Sequence, residues 1–219
     1  MKHFVLGDIH GCYYTLIDLI NKLPIESDDK LVFVGDYIDR GPHSRLVVEY
    51  VESLTEEGTA IALKGNHEDM CVYAQRMNDN MLWVHNGGLT TLKSFCGDPL
   101  PDKAKIPEEI LDWMDNLPLT FETDDYFVCH AGIDPDYPLN QQDPDDLIWI
   151  RNKFLNDDTF DVGKKVVFGH SAFKEGPWIK ENKIGIDTGC VYGLNLTAFC
   201  LETFEFYTVP KNERDKNEI

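Results

Sequence analysis

Carboxylates and histidines recur in this chain between small residues, each time just after a short apolar run. The blocks are Gly7-Asp8-Ile9-His10-Gly11, Gly35-Asp36-Tyr37-Ile38-Asp39-Arg40-Gly41, Gly65-Asn66-His67-Glu68, His130-Ala131-Gly132 and Gly169-His170. Oxygen and imidazole donors set on the ends of buried strands are how a chain assembles a site for a hard or borderline metal ion. Asp8 and His10 lie two apart, and in extended backbone residues i and i+2 share a face, so both can reach one cation. Asp36 follows the second apolar run and Asn66 the third. Parallel neighbours in a sheet lie about 4.8 Å apart, and open α/β sheets take their ligands beyond the carboxyl ends of the strands. Asp8, His10, Asp36 and Asn66 are therefore expected in one crevice.

His130 and His170, from the second half, complete a candidate set of six ligands. Without a thiolate, the mixture suits Mn²⁺, Fe or Zn²⁺ better than Ca²⁺. Six protein ligands are too many for one catalytic ion that must keep an open position. They suit two ions sharing a carboxylate, about 3.5–4 Å apart, and Asp36 is the expected bridge because its strand should lie between the other two. Two divalent ions set against two carboxylates leave two positive charges, matching a phosphate dianion, or a monoanion with a hydroxide. Ions of this kind bring the pKa of water toward ~7 and so supply the nucleophile at neutral pH. His67, beside Asn66, is placed to give a proton to the leaving oxygen, with Asp39 to orient its imidazole. Arg40 offers a bidentate fork to phosphate oxygens, and Arg151, after Trp149-Ile150, is a second candidate clamp.

The elements that must position these residues read as an α/β alternation. Residues 3–7 form a strand, 13–23 a helix with Leu16, Ile17, Leu19, Ile20 and Leu23 in helical spacing, and 31–34 a second strand. A helix over 43–57 and a strand over 59–63 follow. From 67 to about 117 the chain reads as mostly helical, broken at Asn86-Gly87-Gly88 and again between Gly97 and Pro107. The second half turns strand-rich, at Phe121, 126–129, 166–168, 183–186, 194–201 and 204–209, with a tight hairpin at Glu202-Thr203. Residues 133–164 are rich in Asp, Pro and Asn and read as loops around a short helix near Leu147-Ile148-Trp149.

At 219 residues the chain fits one domain over 1–210, followed by a charged tail, 211–219, expected to fray. Hydrophobic residues at 42% allow a substantial core, and no apolar run approaches the roughly 20 residues of a membrane span. A net charge of −19 argues against nucleic acid as a partner. Residues 1–8 read as a strand rather than a signal peptide. Cys12, Cys71, Cys96, Cys129, Cys190 and Cys200 form no CxxC pair, do not suit a zinc site, and read as reduced thiols of a cytoplasmic protein. For Cys12, next to the first block, sensitivity to oxidation is the second reading. The four tryptophans read as core or loop packing, and Asn86-Gly87-Gly88 as a break between helices, with a place near the site as its second reading.

The first three blocks, with His130 and His170 after them, resemble the phosphoprotein phosphatase branch of the calcineurin-like metallophosphoesterases, nearest in size to small bacterial and phage serine/threonine phosphatases. The resemblance extends to Ile186-Asp187-Thr188-Gly189. It implies an α/β fold of four layers, α/β/β/α, in which a sandwich of mixed sheets is flanked by helices. It implies Asp8, His10 and Asp36 on one metal and Asp36, Asn66, His130 and His170 on the other, with Mn²⁺ the activating ion. His67 is then the general acid paired with Asp39, and Arg40 and Arg151 hold the phosphate. The chain departs from the family pattern at Ala131 and at Ser171-Ala172-Phe173. The implied function is a metal-dependent phosphomonoesterase acting on phosphorylated protein or a small phosphoester, a serine/threonine phosphatase in the first instance. A symmetrical dinucleoside polyphosphate hydrolase is the alternative, and a non-catalytic binding module that kept the fold is the third reading. Asp39 and Glu68 tilt this expectation toward the protein phosphatases.

Overall fold

The computed structural model describes all residues except Asp158, Phe160 and 217–219. Its first half runs β1 (His3–Leu6), α1 (Tyr13–Lys22), β2 (Lys30–Phe33), α2 (Ser44–Glu56), β3 (Ala60–Ala62), α3 (Asn66–Met77), α4 (Met81–His85), α5 (Gly88–Cys96) and α6 (Glu108–Asp115). The second half runs β4 (Thr120–Glu122), β5 (Tyr126–Cys129), α7 (Pro144–Trp149), α8 (Asn152–Asn156), β6 (Lys165–Phe168), β7 (Trp178–Lys180), β8 (Lys183–Gly185), β9 (Asn195–Cys200) and β10 (Glu205–Pro210).

Two mixed five-stranded sheets result, ordered β10-β9-β1-β2-β3 and β4-β5-β6-β8-β7. As the sequence led one to expect, β2 lies between β1 and β3. The parallel register pairs Val5 with Val32 and Val32 with Ile61, so the loops after all three strands leave from one edge. In the second sheet Val128 pairs with Val167 and Val167 with Ile184, which brings the loops after β5, β6 and β8 out together.

Strand alternation separates three apolar layers. Val5, Val32 and Val34 face Val128, Val167, Ile184 and Ile186 between the sheets. Their sequence neighbours Phe4, Leu6, Leu31 and Phe33 point the other way, onto Leu16 and Leu19 of α1 and Val47, Val48 and Val51 of α2. On the far side Phe127, Cys129, Val166 and Phe168 pack on Leu147 of α7 and Phe154 of α8. The order is helices, sheet, sheet, helices. No helix among the described residues is long and apolar enough to cross a membrane.

Three details differ from expectation. β7 was not anticipated; a three-residue edge strand is too short for alternation to show, and Trp178 there stacks on Phe173 at 5.1 Å. The β9–β10 connection is a four-residue turn rather than a two-residue hairpin, and Phe204 takes φ 58° within it. The segment after Lys211 is tied down as far as Lys216. Asp215 is fully buried and accepts the Tyr14 N–H at 3.1 Å, the Thr15 N–H at 2.7 Å and the Thr15 hydroxyl at 2.6 Å, satisfying the open amides at the start of α1. Residues 217–219 of the expected tail lie outside the described residues.

Candidate active site

The site lies where the carboxyl edges of the two sheets meet. Eight non-glycine residues among those described have positive φ, and five of them are His10, Asp36, Asp39, Arg40 and His170. Left-handed backbone is unfavourable for side-chain-bearing residues and concentrates where the surrounding structure enforces it, often at functional sites. It also changes the reasoning about the first block. His10 sits in a turn at φ 46°, not in extended backbone, so its reach to the site comes from the turn and not from i, i+2 alternation.

Each imidazole is aimed by a bond on its far side. His10 Nδ1 donates to the Ile38 carbonyl at 2.8 Å and His130 Nδ1 to the Val34 carbonyl at 3.0 Å, leaving both Nε2 lone pairs facing inward. His130 Nε2 then meets Asn66 Oδ1 at 2.9 Å and Asp36 Oδ1 at 3.4 Å, so acceptors converge. His170 Nδ1 reaches the same Asn66 Oδ1 at 2.9 Å. Among His, Cys, Asp and Glu of the described residues, two groups bring ligand atoms within 4.8 Å of one another: His10, Asp36 and His67, and Asp36, His130 and His170. Asp36 is common to both. Asp8 belongs to neither group; its two oxygens accept the His170 N–H at 3.1 and 3.0 Å. Gly169 is required by that approach, because a Cβ there would lie 2.0 Å from Asp8 Oδ1.

The electrostatics fit divalent cations. Burial, then the charges of Asp187 and Asp36, pushes the Asp8 carboxyl well up, and burial with Glu68 does the same to Asp36. Burial holds His130 down to about 3 and His170 down to about 2, so both are neutral, the form that ligates metal. Crowded carboxylates beside neutral imidazoles are stabilised by positive charge without protons. With only oxygen and nitrogen donors, the residues suit a dinuclear divalent centre.

His67 and Asp39 pair as expected, Nδ1 to Oδ2 at 2.6 Å, both buried. The sequence reading missed what holds Asp39. Trp83 Nε1–H donates to both its oxygens at 3.0 Å, and the Thr91 hydroxyl donates to Oδ1 at 2.7 Å. Burial raises Asp39 to about 7 against those two hydrogen bonds, while burial and Arg40 lower His67. Trp83 is thus a packing residue with a polar task. Glu68 is fully buried and accepts the backbone N–H groups of Asp36 at 2.8 Å, Tyr37 at 2.9 Å and Gly65 at 3.0 Å. It joins the second block to the third and does not itself line the pocket.

Arg40 and Arg151 enter the pocket from either side. An Arg40 nitrogen lies 2.6 Å from His10 Nε2, and an Arg151 nitrogen 2.9 Å from His170 Nε2. The cavity, about 120 Å³, is lined by Asp36, Asn66, His67, both arginines and His170. It is also lined by Asn86, Trp149, Ala172, Asp187 and Tyr192, none of them among the ligands and catalytic residues expected from sequence. Asn86-Gly87-Gly88 is therefore more than a break between α4 and α5, since the Gly87 carbonyl also accepts the Arg40 N–H at 3.3 Å. Trp149 is not core packing but 41% exposed. Cys12 is fully buried, with its thiol on the His10 carbonyl at 3.7 Å, which goes against the second reading of it as an oxidation-sensitive thiol.

Comparison with known proteins agrees with this geometry. The profile of the calcineurin-like phosphoesterases matches residues 1–206. The chain is 32% identical over 237 residues to the bis(5'-nucleosyl)-tetraphosphatase PrpE [asymmetrical] of Geobacillus sp. (strain WCH70), covering 97% of this chain and 95% of that protein. A crystal structure described as a putative diadenosine tetraphosphatase superposes with TM-score 0.76 at 26% identity, over 97% of this chain and 94% of the other. A Saccharomyces cerevisiae serine/threonine phosphatase similar to human PP5 superposes with TM-score 0.65 at 18% identity, over 100% and 82%, and shares the fold. The chain belongs to the calcineurin-like phosphoesterase family and is a hydrolase of phosphoesters.

Proposed function

We propose that this enzyme hydrolyses dinucleoside tetraphosphates, cutting off centre to release a nucleoside triphosphate and a monophosphate. The observation that carries this reading is the near full-length similarity to a relative named for that activity, 97% of this chain at 32% identity, whereas the protein phosphatase structure above is 18% identical. This reverses the expected order of readings and replaces symmetrical with asymmetrical cleavage. The features that tilted toward protein phosphatases lose their weight on physical grounds. Asp39 and Glu68 are both fully buried and neither lines the cavity, so neither can select a substrate. Asp39 supports a proton donor that either reaction needs.

In this reading Asp8, His10 and Asp36 hold one ion, and Asp36, Asn66, His130 and His170 the other, with Mn²⁺ as the metal. The two ions would supply charge neutralisation on phosphorus and acidify the attacking water. Arg40 and Arg151 take phosphate oxygens from opposite sides of the cavity. His67 gives its Nε2 proton to the leaving phosphate oxygen, while Asp39 accepts Nδ1–H and stabilises the imidazolium. The free thiols support a cytoplasmic location.

The test is kcat/KM for diadenosine tetraphosphate beside that for a phosphoserine peptide, with the nucleotide products resolved. Preference for the nucleotide with ATP and AMP formed is expected. Two ADP would restore symmetrical cleavage, and preference for the peptide would reject the reading.

A further inference from the structure

At about 120 Å³ the cavity is smaller than the ~300–1,000 Å³ typical of sites that enclose a whole small molecule. A phosphoryl group fits it and a nucleoside does not, so the bases must lie on the rim. Two aromatic side chains line that rim with much of their surface uncovered, Trp149 at 41% and Tyr192 at 59% exposure. Single exposed rings are ordinary on a protein surface, but two on the rim of one polar cavity offer open π-faces to whatever enters it.

Each ring packs against a different residue of the cavity wall. Tyr192 packs against the Arg40 guanidinium, whose carbon lies 5.7 Å from the ring centre. Trp149 meets His170 edge-on, with ring centres 6.3 Å apart, near Arg151. Both are carried on short, fixed elements. Tyr192 ends a 3-10 turn, Cys190–Tyr192, closed by its own N–H on the Gly189 carbonyl at 3.0 Å and by the Gly193 N–H on the Cys190 carbonyl at 3.0 Å. Trp149 is the last residue of α7, which is held by the Ala131 N–H on the Leu147 carbonyl at 2.8 Å.

We infer that Trp149 and Tyr192 stack on the nucleobases of the substrate and so distinguish a nucleotide-capped polyphosphate from other phosphoesters. This rests on the dinucleotide reading above. Every base has a π-face, so the pair would recognise that a base is present rather than which base it is.

Two substrates separate the contributions: diadenosine tetraphosphate, and a tetraphosphate capped at both ends by methyl groups, with the same phosphate chain and no bases. The wild-type enzyme should favour the adenosine-capped substrate in kcat/KM. Trp149→Ala and Tyr192→Ala should each reduce that preference about 5- to 150-fold, the loss expected for one base–aromatic stack, mainly through KM. Trp149→Phe and Tyr192→Phe should restore most of it, which a merely structural role would not predict. Thermal melting of each variant checks that the fold is kept. A preference unchanged in both alanine variants, or both substrates falling equally, overturns the inference while leaving the functional reading in place. A wild-type enzyme that does not cleave the adenosine-capped substrate overturns the functional reading, and the inference with it.

Discussion

Replacing Asp39 with asparagine isolates the contribution of one charge to proton delivery. Oδ2 accepts from His67 at 2.6 Å, Oδ1 from Thr91 at 2.7 Å, and Trp83 donates to both at 3.0 Å. An amide has one oxygen. If that oxygen stays on His67, the new NH₂ points at Thr91 and the indole N–H. Thr91 already receives the Asp39 N–H at 2.8 Å and has Ser44 Oγ at 3.1 Å, so it has little freedom to turn. The variant should lose about 1–3 kcal/mol of stability, the range for a buried donor left unsatisfied. The charge behind the imidazole is also lost. A hydrogen bond to a charged group contributes about 1.5–3 kcal/mol, equivalent to roughly 10- to 150-fold in kcat. His67→Ala, which removes the proposed proton donor, should lose ~10²–10⁴-fold. Steady-state hydrolysis with metal content measured in parallel is the assay. The decisive comparison is the double variant: if Asp39 acts through His67, adding Asp39→Asn to His67→Ala should lower kcat little further. Independent, multiplicative losses would refute the coupling, and loss of metal in His67→Ala would refute the role given to the histidine.

Exhaustive chelation should abolish hydrolysis and Mn²⁺ should restore it; full activity in protein shown to be free of metal would exclude a two-metal mechanism. Gly169→Ala places a methyl 2.0 Å from Asp8 Oδ1. It should destabilise by about 1–3 kcal/mol through overpacking and lower the metal stoichiometry, read by urea melts and metal analysis. Asp215→Ala removes three bonds at the start of α1 and should cost about 1–3 kcal/mol with hydrolysis retained. An unchanged urea midpoint would mean that the segment is not tied down in solution.

Much of the architecture was legible because its signals are local. Apolar runs of three or four residues that stop at or one residue before a glycine mark β1, β2 and β3, and helical spacing marks α1 and α2 between them. The same runs deliver Asp8, Asp36 and Asn66 to strand ends, so the ligand candidates could be named before the sheets were known. β7 was not legible, since three residues on an edge carry no pattern. The packing of Asp215 on α1 was not either, because its partners are about two hundred positions away in sequence.

The sequence by itself determined the chemistry available here: a set of oxygen and nitrogen donors that could hold cations, a histidine beside an acid, and two arginines. That follows from residue type and spacing, which are properties of the chain. Only the tertiary structure decided what each group touches. Trp83 and Thr91 support Asp39 from 44 and 52 positions away. Asp187 reaches the site from the loop after β8, and Trp149 and Tyr192 stand largely uncovered at its rim. Sheet order, register and left-handed turns bring these residues together, and no local periodicity encodes that convergence. For the same reason Asp39 and Glu68 could be mistaken for selectors of substrate until their burial showed that they face the protein's interior.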